Sequence, residues 1–138
     1  MQTKYAVSMA LVAGLAFGAT ATHVLHAQAK PMGYVIAENV VNDQEAYAKD
    51  FAPVIAKTIQ EAGGKFLARG GKTVGIHGAP PAPRVVIVQF DTFDKAQAWA
   101  NSPTAKSAFA IREKYSTLHD YAVEGVSPFA PASMSRRH

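Results

Sequence analysis

Hydrophobic and polar positions repeat with two different periods along this chain. Between Met32 and Val41, the residues Tyr34, Val35, Ile36, Val40 and Val41 make a β-rich run with Glu38 and Asn39 inside it, which predicts a strand. After Asn42 the period changes. Tyr47, Phe51, Ile55 and Ile59 recur every four residues and form one apolar stripe on a helix. Asn42 or Asp43 offers the N-cap, with Glu45 at capping-box spacing from Asn42. Pro53 lies inside the stripe, and proline lacks the N–H a helix needs, so the helix is expected to kink or split there. Gly63-Gly64 supplies the left-handed end that side chains resist.

Lys65 to Arg69 predicts a second strand, Gly70-Gly71 permits a bulge or bend, and Thr73 to His77 is expected to continue the strand. Gly78 to Pro83 is a stiff, proline-rich connection. Arg84 to Asp91 is the strongest strand pattern in the chain. Thr92 can cap a helix bearing Phe93, Ala96, Trp99 and Ala100. Ser102-Pro103 then reads as a fresh cap with proline at the first helical position, and Ala105, Ala108, Phe109, Arg112 and Tyr115 continue a helical face. His119 to Val126 predicts the closing strand, and from Ser127 onward no period remains, so 127–138 reads as a loose tail.

The order is β-α-β twice, with halves of similar length. It predicts an α+β, ferredoxin-like βαββαβ fold: a four-stranded antiparallel sheet with two helices on one face. The Arg84 strand is apolar on both sides, with Val86, Val88 and Phe90 on one and Val85 and Ile87 on the other. An antiparallel sheet with one wet face alternates cleanly instead. The second face therefore needs a cover. A second copy of the sheet, hence a homodimer, is the simplest one, and a tail folded across the sheet is the alternative.

Composition alters this picture at the N-terminus. Lys4, an uncharged apolar run from Tyr5 to Thr22 and Ala27-Gln28-Ala29 have the order of a secretory signal peptide. Residues 1–29 are thus expected to be a cleaved leader, leaving 30–126 as the domain, in the periplasm or secreted. Retention as a membrane anchor is the alternative. His23 and His26 leave with such a leader and are not read as a metal pair. The chain carries a formal charge of +4, and Lys4 is the only charge in the leader. So weak a balance, with no basic–aromatic interleaving, argues against nucleic acid. The absence of cysteine excludes disulfides, thiol nucleophiles and cysteine-ligated metal.

Several runs occur together and in order: Gly33-Tyr34, Ala46-Tyr47, Gly63-Gly64-Lys65-Phe66-Leu67-Ala68-Arg69-Gly70-Gly71, Arg84-Val85-Val86-Ile87-Val88-Gln89-Phe90, Ala98-Trp99, Asn101-Ser102-Pro103 and Glu124-Gly125. As a set they resemble the bacterial family called domain of unknown function 1330, over about residues 32–126. The resemblance implies a dimeric α+β barrel, in which two ferredoxin-like sheets pack face to face, and implies no settled activity. Family members often carry a glutamate after the R-G-G and a tyrosine after the tryptophan. Here Val74 and His77 occupy the first stretch and Ala100 follows Trp99. A leader is a further departure.

The candidate chemistry is sparse. Arg69 can aim a guanidinium at a carboxylate, with Gly70 and Gly71 allowing close approach of a ligand. It can equally pair with Glu38, Asp91 or Glu124 across the sheet. Arg84 reads as a ligand contact or an interface charge. Gln89 and Asp91 join these on strands expected to line the barrel, giving a ligand set of Arg69, Gly70, Gly71, Arg84 and Gln89. His77 is the most able single side chain, as a base or a haem or metal ligand, but no second ligand stands at metal spacing. His77, Arg69 and Asp91 are the candidates for catalysis, and no nucleophile–base pair accompanies them. His119 and Asp120 point to opposite faces of a strand and make no dyad. Trp99 reads as core and Ser102 as a cap. The expectation is a small apolar or aromatic acid bound in the barrel without cofactor or metal, with cofactor-free catalysis open, and the alternative is a non-catalytic exported binding or stress-related module.

Overall fold

The computed structural model describes residues 30–128. The leader expected over 1–29, and all but the start of the tail expected from Ser127, lie outside the described residues. The elements follow the order β1 (Gly33–Val41), α1 (Gln44–Ala46), a π-helical turn (Tyr47–Phe51), α2 (Ala52–Glu61), β2 (Lys65–Arg69), β3 (Arg84–Phe90), α3 (Phe93–Asn101), α4 (Pro103–Arg112) and β4 (Ser116–Glu124). The sheet order is β2-β3-β1-β4, and every neighbouring pair is antiparallel. This is the ferredoxin-like arrangement. Residues Pro31–Val126 make one compact unit.

Local chemistry sets the helix ends. Asp43, not Asn42, caps α1 by accepting from the Ala46 N–H at 3.0 Å. Pro53 resolves as a widened turn. The Ala52 N–H reaches back five residues to Tyr47, and Pro53 then sits in the first turn of α2, where its missing N–H has no duty. Gly63, at φ +78°, and Gly64 close α2 by donating to Gln60 and Ile59. Thr92 caps α3 and Ser102 caps α4, accepting from Lys95 and Ala105 respectively.

The helices cover one face of the sheet. Tyr47, Phe51, Ile55, Ile59, Ala96, Trp99, Ala105 and Ala108 pack on Val35, Val88 and Phe90. Trp99 is core: its Nε1 donates to Thr58 Oγ1 at 3.1 Å, and its ring meets Phe109 edge to face. The other face carries Tyr34, Ile36, Val85, Ile87, Tyr121 and Val123, aligned across β3, β1 and β4. No element of the described residues covers that face, and Val40, Tyr121 and Val123 each leave over two-fifths of their surface exposed.

Two expectations are corrected. Thr73–His77 does not extend β2. Arg69 pairs with Val86, so residues from Lys72 on would face Pro83 and the prolines before it, which have no N–H to offer. Gly70, at φ +66°, instead turns the chain away after one last bond to Val85. The bulge falls earlier, between Phe66 and Ala68, leaving Leu67 as the unpaired extra residue. The closing strand also starts sooner than its apolar pattern, at Ser116, which is buried opposite Val41.

Gly33 shows how tightly sheet and helix layers meet. A Cβ there would lie 2.7 Å from Phe93 Cα and from the Thr92 carbonyl. Both atoms are backbone and cannot swing aside. Gly33→Ala is expected to lower unfolding stability by about 2 kcal/mol in urea titration, whereas Gly71→Ala, with nothing within 4 Å, should stay within about 0.5 kcal/mol of the parent.

Candidate functional site

A cavity of about 170 Å³ lies between the sheet and the helices. That is close to the roughly 150 Å³ apolar cavity known to hold benzene. Its floor is the helix-facing parity of the strands: Val35, Ala37 and Asn39 on β1, Val86 and Val88 on β3, Phe66 on β2. Its walls are Tyr47, Phe51, Ile55 and Ile59 from the first helical arm and Trp99 and Phe109 from the second. Ala37 is the small residue at mid-floor, and its short side chain helps keep the space open.

Five polar side chains interrupt this lining: Asn39, Arg69, Arg84, Arg112 and Asp120. Sheet register places them along one arc. Arg84 is the direct cross-strand partner of Asn39, Arg69 is diagonal to Arg84 through Val86, and Asp120 is diagonal to Asn39 through Leu118. Arg69 reaches this face only because of the Leu67 bulge. Phe66 and Arg69 are three residues apart, which in a regular strand puts them on opposite faces. The extra residue restores the parity, and the Arg69 guanidinium lies over the Phe66 ring at 4.3 Å. Arg84 lies 5.3 Å from the centroid of Tyr47. A methyl group at Gly70 would stand 2.1 Å from Arg84 Nη1, so Gly70 provides the slot in which that guanidinium rests.

Charge is unbalanced here. Arg112, only 5% exposed, forms an ion pair with Asp120 and lies against the rings of Phe51 and Phe109. Arg69 and Arg84 have no carboxylate partner among the described residues. Four buried side-chain atoms among those residues lack a hydrogen-bond partner: Asn39 Oδ1, Arg84 Nε, Arg112 Nε and Asp120 Oδ1. All four belong to residues lining this one cavity. Buried polar atoms are ordinarily paired, so four orphans around one space single it out as the candidate site.

The structure brings together two of the residues singled out from sequence, Arg69 and Arg84, with Gly70 beside them. The others lie elsewhere. Gln89 is on the open face, donating to Met32 Sδ and the Tyr34 hydroxyl. Asp91 is exposed and paired with Lys95 at 3.3 Å. His77 and Gly71 are exposed in the connection 71–83. Arg69 pairs with none of Glu38, Asp91 or Glu124, and Glu38 instead meets His119 at 3.3 Å. His119 and Asp120 do point to opposite faces, as strand geometry requires. The cavity lies on the helix-covered side of the sheet, whereas Gln89 stands on the open side.

Asn39, Arg112 and Asp120 were missed, although each carries a signal. Asn39 follows Val35 and Ala37 at the period of the buried face, and it is one of the two largest fully buried side chains. Arg112 continues the apolar stripe of Ala105, Ala108 and Phe109. Asp120 shares its parity with Ala122. A polar residue at a core parity is the mark to seek. Among the described residues no group of three or more histidine, cysteine or carboxylate side chains is placed to hold a metal. None of their helices is long and apolar enough to cross a membrane. Tyr115 lies outside the lining, and its hydroxyl donates to Asp50, which raises its pKa above the ordinary tyrosine value.

A family model described as "Domain of unknown function (DUF1330)" matches residues 32–126. No curated protein matches the chain. Among solved structures, a protein of unknown function from Rhodopseudomonas palustris aligns with a TM-score of 0.56 at 13% identity, covering 72% of this chain and 85% of that one. Its methylated form aligns at 0.57 and 13%, covering 73% and 85%. A protein from Bacteroides fragilis described as dimeric, of unknown function and of ferredoxin-like fold aligns at 0.45 and 14%, covering 67% and 95%. At these identities the first two support the fold alone.

The Arg112–Asp120 pair is buried at the arginine end, so removing one partner strands the other. Asp120→Ala is expected to cost about 3 kcal/mol of unfolding stability. Loss of the exposed Asp91–Lys95 pair through Asp91→Ala should cost under about 0.5 kcal/mol. Equal losses in the two variants, read by chemical denaturation, would contradict this account of the pair.

Proposed function

Because the chain belongs to the family described as domain of unknown function 1330, which brings no activity with it, we propose a function from the cavity: it binds a small organic acid with an apolar, ring-sized body. The observation that carries this reading is the pairing of an apolar cavity with two guanidiniums, Arg69 and Arg84, that no carboxylate balances. The planar fork of arginine matches a carboxylate at two points. The aromatic walls suit one ring, and the volume admits little more. The lining holds no histidine, serine, threonine, lysine or cysteine, and its one carboxylate is tied to Arg112. Binding, not turnover, is what such a set supports.

Benzoate is a suitable probe. Calorimetric titration should show saturable binding by benzoate and none by toluene or benzyl alcohol. Arg84→Met should weaken benzoate by about tenfold, the worth of a charge-assisted hydrogen bond at a half-buried guanidinium. Equal binding of benzoate and benzyl alcohol would overturn the assignment of the arginines.

We further infer an exported homodimer. Support for the dimer comes from the open sheet face, where Ile36, Ile87, Val85, Tyr121 and Val123 form a continuous apolar surface. A second copy of the same face is the self-complementary cover that a two-fold axis provides. Support for export is the order of charge, apolar run and A-x-A site in residues 1–29. Native mass spectrometry of the periplasmic fraction reads both points. The expected species has twice the mass of a chain starting at Lys30, and Ile36→Glu should halve it. A monomer in the parent, or the full-length chain in the membrane fraction, would refute the corresponding half.

A further inference from the structure

The cavity has a second polar end that a simple acid leaves unused. Arg69 and Arg84 stand on β2 and β3, whereas Asp120 stands on β4, on the far side of β1, with its partner Arg112 at the end of α4. β3 and β4 flank β1, so their strand axes lie about 10 Å apart. Between them the floor is Ala37 and Val86, both apolar. Carboxylate recognition by the two free arginines would account for Arg84 Nε alone among the four orphans. Asn39 Oδ1, Asp120 Oδ1 and Arg112 Nε would stay unpaired in a site where Asn39 is 1% and Arg112 5% exposed.

The chemistry of those three atoms is specific. Two are acceptors that need a hydrogen, and one is an N–H that needs a lone pair. A hydroxyl group is both donor and acceptor: it can accept from Arg112 Nε and give its one hydrogen to Asn39 Oδ1, and it is small enough for a cavity already filled by one ring. A second carboxylate would face Asp120 with like charge, and an ammonium could not accept from Arg112. Building on the acid-binding reading above, we infer that the natural ligand is a hydroxylated aromatic acid. Its carboxylate lies at Arg69 and Arg84, and its ring hydroxyl lies between Asn39 Oδ1, to which it donates, and Arg112 Nε, from which it accepts, while Asp120 stays paired with Arg112. Asn39 stands beside both ends, as the cross-strand neighbour of Arg84 and the diagonal neighbour of Asp120, and fixes the ring's direction. A ligand of this class is read in one orientation only, because Arg69 and Arg84 offer donors alone whereas the Asn39 end also needs a hydrogen given to it.

The test compares benzoate with meta- and para-hydroxybenzoate on the full protein by calorimetry. At least one hydroxylated acid should bind about tenfold or more tightly than benzoate, since without the hydroxyl the site's buried polar atoms go unpaired. Asn39→Leu, close in volume, should reduce that ratio to about twofold or less. Arg84→Met should weaken all three acids by a similar factor, and Asp91→Ala, on an exposed side chain, should leave the ratio as it is. Asp120→Asn probes the same end, but the variant loses a buried ion pair, so Asn39→Leu and the comparison on the parent carry the decision. If benzoate binds and neither hydroxyl improves it, the second end is not a recognition site and the acid-binding reading stands. A hydroxyl preference that survives Asn39→Leu intact also overturns the inference. If no acid binds at all, both readings fall together.

Discussion

Arg112 is buried in the middle of an apolar layer, and much of the site's shape follows from how that charge is tolerated. A lone guanidinium there would be held out of water at a cost of several kcal/mol. Asp120 answers it from β4, and the rings of Phe51 and Phe109 lie against its flat faces. The pair therefore ties the end of α4 to an edge strand eight residues later. With a charge pair at this point, close packing of the arm on the floor is not available, and a cavity persists beside it.

The same argument explains why the cavity is lopsided. Aromatic residues wall it where the π-helical turn and α3 approach. Polar groups gather where strands β1, β3 and β4 present Asn39, Arg84 and Asp120. The π turn contributes by placing Tyr47 and Phe51, both buried with ring centroids 5.0 Å apart, over the polar arc. A regular helix interrupted by Pro53 would turn these two rings through a different angle relative to the floor. The irregularity in the first helix and the irregularity in β2 thus serve one place.

Much of the fold could be read from the chain because the periods are clean. Tyr47, Phe51, Ile55 and Ile59 all point inward, the Gly63-Gly64 stop closes α2, and Thr92 and Ser102 cap where their residue types say they should. The failures are of one kind. Thr73–His77 looks like strand by local preference, yet pairing needs a partner, and the prolines that deny it lie ten positions further on. The site was legible only in part for a related reason. Arg69, Gly70 and Arg84 announce themselves beside glycines and at a strand mouth. Asn39, Arg112 and Asp120 look ordinary until the parity of each strand and helix is tied to a particular side of the sheet. Gln89 and Asp91 stand away from that cavity, one on the open face and one exposed beside Lys95.

The bulge at Leu67 gives chain length a chemical meaning. Shortening β2 by this one residue would keep every arginine, the sheet order and the apolar core, yet turn the Arg69 guanidinium to the outer face. One of the two cavity-facing guanidiniums without a carboxylate partner would then be lost with no lining residue replaced. Among relatives of this chain, what the cavity accepts would accordingly be inherited through a count of residues as much as through their identity. A comparison that tolerates a gap at this position would treat as equivalent two proteins with opposite surfaces.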